Sequence, residues 1–279
     1  MIIRCWGARG SIPVSGPEYL KYGGDTTCLE IRTKNDEIIV IDAGSSIRRL
    51  GNRLVSEDRL EFTMIFTHAH WDHVMGFPFF KPIYTAKSRI NIRGCPSAQS
   101  TVKEMICRVM SPPYFPISYN DMLAEITYDG NCTDSFTIDS VEVTPIPLSH
   151  PNQGLGYKFV EDNKSFVFLT DNELTLRHEG GRDYEDYLKF SSGADLLIHD
   201  AEYTEDDYAK TKGWGHSIYT DALCLAMEAN VKQFGLFHHN QDRSDNGIDE
   251  MIQKCDAIIK RSNHSLDCFA VHQNMEITL

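Results

Sequence analysis

Short apolar runs separated by turn and charged residues dominate the first part of the sequence. Apolar and β-branched residues are concentrated at positions 28–33, 37–42 and 61–67, and Gly, Pro and Asp recur between these runs. Runs of this length and composition predict β-strands. Positions 45–54, between the second and third runs, are predicted to form a helix after a turn. The N-terminal part therefore predicts strands that alternate with helices.

The alternation continues to the C-terminus. A strand is predicted at 89–93, a helix at 100–110, and then a loop interrupted by Pro112, Pro113 and Pro116, which we expect at the rim of a site. Further strands are predicted at 141–146, 156–160, 165–169, 195–198 and 233–237, and helices at 218–229 and 246–261. Two sheet-rich halves, each flanked by helices, predict an α/β fold with an αβ/βα sandwich. Without a linker or repeat, we expect a single domain over 1–279.

Composition narrows the range of functions. The chain has 279 residues, 41% of them hydrophobic and 24% charged, which is ordinary for one domain with a sizeable core. Its formal net charge of −13 argues against a protein that binds long nucleic acid by neutralising many phosphates. Small anionic substrates remain compatible with this charge, because bound divalent cations reverse the sign of the local field.

The sequence also predicts a location. Positions 1–6 form a short strand-like run without the apolar core and cleavage pattern of a signal peptide. No stretch approaches the roughly 20 apolar residues of a membrane span. The eight cysteines are scattered and form no CxxC pair, so we expect reduced, mostly structural thiols. These features together predict a cytoplasmic protein.

The densest chemistry lies in Thr-His-Ala-His-Trp-Asp-His at positions 67–73. Solvated loop histidines would explain any one imidazole, but not three imidazoles and a carboxylate within six positions, directly after a predicted strand. Neutral imidazole nitrogens and carboxylate oxygens suit zinc and related divalent ions. The spacing differs from the HExxH of helical zinc proteases. The pattern therefore predicts a metal site with four ligands from one loop: His68, His70, Asp72 and His73.

Three later residues complete the predicted site. His150 follows a predicted strand and would join His68 and His70 as a third ligand of one ion, its alternative being an ordinary loop residue. Asp171, also after a strand, is the natural carboxylate to bridge two ions, its alternative being a turn cap. His238 ends a strand and would close the second site, with His239 as the alternative. Together these residues supply seven ligands for two ions.

These motifs resemble a known family. The run from His68 to Phe80, Leu-Ser-His at 148–150, Thr-Asp at 170–171, Gly-His-Ser at 215–217 and Leu-Phe-His-His at 236–239 occur in the order seen in the phosphodiesterase branch of the metallo-β-lactamase superfamily. That branch includes ribonuclease Z and smaller cyclic phosphate and cyclic nucleotide phosphodiesterases. The resemblance implies a four-layer αβ/βα metallo-β-lactamase sandwich with two mixed sheets. Homodimers are common in the family, although no residue of this sequence indicates one.

The resemblance also implies roles for individual residues. The first ion is assigned to His68, His70 and His150, the second ion to Asp72, His73 and His238, and the bridge between them to Asp171.

A proton donor outside the metal ligands is also implied by the resemblance. Ribonuclease Z and its relatives pair a His in a Gly-His-Ser context with an upstream Glu, and this chain offers His216 and Glu202. A His held by a carboxylate can protonate a leaving alkoxide, which phosphodiester cleavage requires and thioester cleavage does not. Without the other motifs, His216 would be a polar residue at a helix start.

We therefore expect a dinuclear metal-dependent phosphodiesterase that cleaves a small cyclic nucleotide or related phosphodiester. Two divalent ions, Zn²⁺ or its rival Mn²⁺, would share a hydroxide held by Asp72, and His216 oriented by Glu202 would protonate the leaving oxygen. The 20 positions between His150 and Asp171 are too few for the long arm with which some ribonuclease Z enzymes grip tRNA. The alternatives are a hydrolase of a thioester, lactone or β-lactam and a non-catalytic nucleotide-binding protein.

Overall fold

The computed structural model describes residues 1–94, 101–113, 115–130 and 134–279. Within these ranges the strands are β1 Ile2–Gly7, β2 Cys28–Arg32, β3 Ile38–Ile41, β4 Glu61–Ile65, β5 Arg89–Arg93, β6 Glu125–Asp129, β7 Phe136–Ile138, β8 Val141–Pro147, β9 Leu155–Glu161, β10 Lys164–Leu169, β11 Leu196–Asp200, β12 Gln233–Phe237, β13 Asp267–Ala270 and β14 Glu276–Thr278. The α-helices are α1 Ile47–Ser56, α2 Trp71–Val74, α3 Val102–Val109, α4 Tyr184–Ser191, α5 Glu205–Thr211, α6 Tyr219–Glu228 and α7 Asp245–Ser262.

The strands form two mixed sheets. The first sheet has the order β14-β1-β2-β3-β4-β5-β6, and the second has the order β13-β12-β11-β10-β9-β8-β7. In the first sheet β3 to β6 are parallel to one another, and in the second sheet β10 to β13 are parallel. The remaining pairings are antiparallel. The predicted α/β sandwich with two mixed sheets is therefore confirmed.

Three apolar layers hold the sheets and helices together. In β3, Ile39 and Ile41 face the second sheet, whereas Ile38 and Val40 face α1 on the outer side. Alternate residues of a strand point to opposite faces, and both faces of this sheet are covered, so all four positions are buried. A third layer packs α6 and α7 on the outer face of the second sheet. Burial on both faces explains why the strands read as continuous apolar runs in the sequence.

Helix boundaries differ slightly from those predicted. The first helix begins at Ile47 rather than at Ser45, because Ser45 and Ser46 use their hydroxyls to hold the preceding loop: Ser45 donates to Asp25, and Ser46 donates to the carbonyl of Thr26. The helix predicted at 100–110 spans Val102–Val109. Its predicted first residue, Ser100, lies outside the described residues. The short helices α4 and α5 and the short strands β7, β13 and β14 were not predicted, because they carry too few apolar positions to show a period.

The parallel strands direct their carboxyl ends toward one edge of the sandwich. The loops after β3, β4, β10, β11 and β12 all leave from such ends. In open α/β sheets, ligands bind outside the carboxyl ends of the strands. No helix in the described part of the chain is long and apolar enough to span a membrane.

Candidate metal centre

The seven predicted metal ligands are brought together by loops from both sheets. The loop after β4 and the start of α2 supply four of them, while His150 follows β8, Asp171 follows β10 and His238 follows β12. Asp171 and His238 have positive φ angles of 48° and 59°. Side chains rarely adopt this backbone conformation, and it clusters at functional sites where the surrounding structure enforces it. The two strand ends therefore turn sharply where they deliver their ligands.

The first group contains His68, His70, His150 and Asp171, whose ligand atoms all lie within 4.8 Å of one another. Nδ1 of His70 is 2.9 Å from Nε2 of His150. Oδ2 of Asp171 is 3.4 Å from Nε2 of His68 and 3.8 Å from Nε2 of His150. Three nitrogens and one oxygen thus converge on one point.

The second group contains Asp72, His73, His238 and again Asp171. Oδ2 of Asp72 is 3.0 Å from Nε2 of His238 and 3.3 Å from Nε2 of His73. The carboxylate of Asp171 is 3.2 Å from His73 Nε2 and 3.3 Å from His238 Nε2. Because Asp171 belongs to both groups, its position is that of a bridging ligand.

The geometry of both groups fits divalent cations. Two ligand atoms bound to one tetrahedral zinc ion at its usual bond lengths stand about 3.4 Å apart. The distances between ligand atoms given above range from 2.9 to 3.8 Å. In addition, Nε2 of His68 and Nε2 of His73 are buried and make no hydrogen bond within the described residues. Buried polar atoms are rarely left without a partner, and a bound cation would supply it.

The electrostatics of the first group also favour metal binding. Burial, together with the neighbouring His68, lowers the pKa of His70 to about 4. Burial lowers the pKa of His150 well below its usual value. For Asp171, burial raises the pKa, but His238 and His73 outweigh it and bring the pKa well below its usual range. Neutral imidazoles and an ionised carboxylate at neutral pH are the forms that coordinate metals.

The second nitrogen of several imidazoles is held by a buried acceptor. His73 donates from Nδ1 to Asp42 at 2.8 Å, and His150 donates from Nδ1 to the carbonyl of Gly215 at 2.8 Å. Such bonds fix the tautomer and the ring orientation of a ligand histidine.

Asp42 was missed by the sequence reasoning. Asp42 directly follows β3 and has a positive φ of 60°. Its carboxylate also accepts hydrogen bonds from the backbone N–H and from the hydroxyl of Thr67. An aspartate directly after an apolar strand was the available signal.

His238, not His239, faces the cluster. His239 donates from Nε2 to the carbonyl of Val271 at 2.7 Å, and its ring packs edge-on against Tyr22. Burial and the neighbouring Arg9 lower the pKa of His239 to about 3. The sequence could not separate these adjacent histidines, and the structure separates them because consecutive residues after the strand point to different sides.

His216 lies beside the metal ligands but has a different partner from the one predicted. Its Nδ1 donates to Asp200 at 2.7 Å, whereas the nearest oxygen of Glu202 is 3.4 Å away. Burial lowers the pKa of His216, but Glu202 and Asp200 outweigh it and raise the pKa to about 9. The ring centroid of His216 is 4.7 Å from that of His238. The hydrogen bond of His216 Nδ1 is thus made to Asp200, while Glu202, the predicted partner, lies within ion-pair distance of the same nitrogen.

Glu202 instead supports His238. Its Oε2 accepts the hydrogen bond from His238 Nδ1 at 2.8 Å, and its Oε1 accepts one from Asn240 at 2.9 Å. Asp200 ends β11 and holds both the Glu202 backbone N–H and the His216 ring. Because Asp200 occupies the position behind His216, the side chain of Glu202 reaches the next histidine.

A second buried carboxylate, Glu173, was also missed. It accepts hydrogen bonds from the hydroxyl of Tyr208, from Nε2 of His178, and from the backbone N–H groups of Gly213 and Gly215. It thereby fixes the loop whose Gly215 carbonyl holds His150. The signal in the sequence was only its position two residues after Asp171.

The N-terminal loop at 7–11 packs against the second group. The backbone N–H of Ser11 donates to Oδ2 of Asp72 at 2.9 Å. A Cβ on Gly10 would overlap the ring of His238, so a glycine is required there. Arg9 is fully buried and donates to the backbone carbonyls of Gly23 and Asn240. Arg9 therefore holds loops together and is not available to a substrate.

The fold and the site define a class of protein: a metallo-β-lactamase-type αβ/βα sandwich with a candidate dinuclear metal centre at the carboxyl ends of its strands. The chain belongs to the β-lactamase superfamily, because the family profile described as "Beta-lactamase superfamily domain" matches residues 37–239. The family resemblance of the sequence motifs is thus confirmed.

Known proteins with similar sequences and structures agree with this assignment. Ribonuclease Z of Oceanobacillus iheyensis is 22% identical over 267 residues, which cover 81% of this chain and 86% of that protein. The metallo-beta-lactamase fold protein YhfI of Bacillus subtilis matches with a TM-score of 0.73 at 16% identity, covering 99% of this chain and 98% of that one. Human tRNase Z, short form, matches with a TM-score of 0.66 at 18% identity, covering 100% and 99%. Likeness to solved structures at this identity establishes the fold.

Proposed function

We propose that this chain is a dinuclear metal-dependent phosphodiesterase that hydrolyses a small cyclic nucleotide or a related nucleotide phosphodiester. The observation that carries the proposal is a proton donor beside the metal cluster: His216, held by the buried carboxylate of Asp200. The relatives named ribonuclease Z and tRNase Z support phosphodiester chemistry.

In this proposal the two groups of ligands hold two divalent ions, most simply zinc, with manganese as the rival. The first ion is held by His68, His70 and His150, the second by Asp72, His73 and His238, and Asp171 contacts both. Ions in such a pair lower the pKa of water to about 7 and neutralise the negative charge that builds up on the phosphate.

In this proposal, a histidine of the chain supplies the proton to the leaving group. Nδ1 of His216 is occupied by Asp200, so Nε2 is the nitrogen that can give a proton to the departing oxygen; it makes no hydrogen bond within the described part of the chain. The side chain is 10% exposed and its ring lies 5.2 Å from that of His150. A leaving alkoxide is a strong base and needs such a donor, whereas a thiolate leaves without one.

The overall charge supports a small substrate. A formal net charge of −13 disfavours the binding of a long polyanion, whereas a single phosphodiester interacts mainly with the ions. Only the 20 positions 151–170 separate His150 from Asp171, and the described chain folds them into β9 and β10. The proposed substrate is therefore a mononucleotide-sized diester.

The test compares substrates and variants of the metal-loaded protein. Bis-p-nitrophenyl phosphate is assayed beside nitrocefin and a thioester. We expect hydrolysis of the phosphodiester. Because p-nitrophenolate is a weak base that leaves without a proton, the proton donor is tested with 3',5'-cyclic AMP, whose leaving group is an alkoxide: His216→Ala should lose roughly a hundredfold or more in kcat on this substrate, with metal content unchanged. His264→Ala, which removes an exposed histidine between α7 and β13, is the matched control and keeps full activity. Hydrolysis of only the thioester or nitrocefin, or an unaffected His216→Ala variant, would contradict the proposal.

A further inference from the structure

Two tryptophans are largely exposed although both adjoin the metal cluster. Trp71 is 62% exposed and Trp214 is 65% exposed, whereas the third tryptophan of the chain, Trp6, is buried. An indole presents a large apolar surface, and proteins usually bury most of it. Exposed aromatic side chains grouped at a site commonly mark a binding surface.

Both tryptophans are next in sequence to residues that contact the first group. Trp71 directly follows the predicted ligand His70, and Trp214 directly precedes Gly215, whose carbonyl accepts the hydrogen bond of His150. The rings of His70 and His150 are only 4.8 Å apart. Since neighbouring Cα atoms are about 3.8 Å apart, both tryptophans start within a few ångströms of residues that touch the first group.

The backbone that carries each indole is anchored. Trp71 opens α2, and its carbonyl accepts a hydrogen bond from Met75 N–H at 2.7 Å. The backbone N–H of Trp214 donates to the carbonyl of Thr211 at 3.0 Å, and the glycines on either side of Trp214 donate to the buried carboxylate of Glu173. On an anchored backbone, an aromatic side chain has only two torsion angles left to fix on binding, so its loss of conformational freedom is small.

We propose that Trp71 and Trp214 form an aromatic rim that stacks on the nucleobase of the substrate. The inference rests on the proposed function, because that function supplies the phosphodiester next to the rim. Planar indoles suit a planar heterocycle, and stacking of a base on an aromatic side chain depends little on which base it is. The rim therefore favours diesters that carry a nucleoside over diesters of the same charge that do not.

Stacking also suits a chain of this charge. With a formal net charge of −13, the chain gains affinity for a nucleotide more readily from an uncharged contact to the base than from further contacts to phosphate. One additional exposed apolar side chain, Ile12, adjoins Ser11, which donates to Asp72 in the second group. Exposed apolar side chains therefore lie next to residues of the first group and next to residues of the second group.

The kinetic test uses two substrates with the same leaving group: thymidine 5'-(p-nitrophenyl phosphate) and methyl p-nitrophenyl phosphate. For Trp71→Ala and Trp214→Ala we expect kcat/KM for the thymidine ester to fall roughly five- to a hundredfold, the range of base stacking, with little change for the methyl ester. Phe at either position should restore most of the loss. The control Leu123→Ala removes an equally exposed side chain, 61% exposed, just before β6 and so at the opposite end of the parallel strands.

A binding test does not depend on turnover. Thymidine 5'-monophosphate should quench the indole fluorescence of the wild-type protein, and methyl phosphate should not. The double variant Trp71→Phe with Trp214→Phe retains Trp6 alone, and its fluorescence should not respond. Binding of the nucleotide without quenching would overturn the inference.

The outcomes separate the rim from the proposed function. An equal loss for both esters in the tryptophan variants means that the indoles support the cluster and do not contact the base, which overturns the rim alone. A wild-type protein that hydrolyses neither ester but cleaves a thioester overturns the phosphodiesterase, and the inference with it. Loss confined to the thymidine ester supports both.

Discussion

The two sheets contribute to the site in different ways. From the first sheet, one loop after β4 and the start of α2 supply His68, His70, Asp72 and His73 within six positions. From the second sheet, the contributions are single residues after separate strands: His150, Asp171 and His238, together with the proton-donor candidate His216. The first contribution forms a motif in the sequence, whereas the second exists only in the fold.

The residues behind the ligands differ as well. On the first sheet the support is compact: Asp42 holds both His73 and Thr67. On the second sheet three buried carboxylates support the site, and each holds a different group by hydrogen bonds. They are Asp200 behind His216, Glu202 behind His238, and Glu173 behind the loop that holds His150. Under the proposed function, the first sheet supplies mainly metal ligands, while the second also supplies the proton donor and its support.

The largest loss of metal and activity is expected at the residue that the two ligand groups share. Asp171→Ala removes the carboxylate common to both groups, so we expect bound metal to fall below two ions per chain and phosphodiester hydrolysis to fall to background. Metal analysis and the bis-p-nitrophenyl phosphate assay measure this. Asp183→Ala, at an exposed carboxylate before α4, is the control. Two tightly bound ions in Asp171→Ala would show that this residue does not bridge.

Asp200→Asn tests the proton-transfer duty of the second sheet. The change keeps the size of the side chain but removes the charge that orients His216. We therefore expect kcat for 3',5'-cyclic AMP, whose leaving group is an alkoxide, to fall roughly a hundredfold or more with metal content preserved. Glu202→Gln, two positions along the chain, should leave kcat much closer to normal when metal is in excess. If Glu202→Gln instead gave the larger loss of kcat at saturating metal, the original pairing of His216 with Glu202 would be restored.

A smaller effect is expected when a supporting carboxylate behind a ligand histidine is changed on either sheet. Asp42→Asn weakens the hold on His73, and Glu202→Gln weakens the hold on His238. Each should lower metal affinity by roughly 10- to 100-fold, and added metal should restore activity. Competition with a chelator gives the affinities, and thermal unfolding shows whether the fold is intact. Unchanged affinity in both variants would remove the supporting role.

The smallest effect concerns the first sheet away from the site. Burial raises the pKa of Glu57, but hydrogen bonds from Arg32 and Arg53 outweigh it and lower the pKa to about 2. A lowered pKa stabilises the fold above the usual carboxyl pKa of 4.5, and this contribution is lost as the pH falls toward 2. Glu57→Gln should therefore be less stable than wild type by at most about 1 kcal/mol at pH 7. Thermal unfolding should show the two proteins converging between pH 4.5 and 2, and a constant difference would contradict the assignment.

Much of the architecture follows from local sequence. Strand β3 and the last four residues of β10 are buried on both faces, so their positions are marked by continuous apolar runs. Short elements such as α5 and β14 could not be found in this way, because three to seven residues with few buried positions give no clear period. The order of the strands in each sheet likewise depends on pairings between distant segments, which local periodicity does not contain.

The sequence by itself determined that His68, His70, Asp72 and His73 act together, because a fixed spacing on one loop keeps these side chains within reach of one another in any compatible fold. Only the tertiary structure decided that His238 faces the cluster, that Asp200 holds His216, and that Glu202 holds His238. Whether Asp200 or Glu202 takes the hydrogen bond of His216 depends on a difference of less than 1 Å, between 2.7 and 3.4 Å. Hydrogen bonding is that sensitive to distance, and no local pattern of residues encodes it.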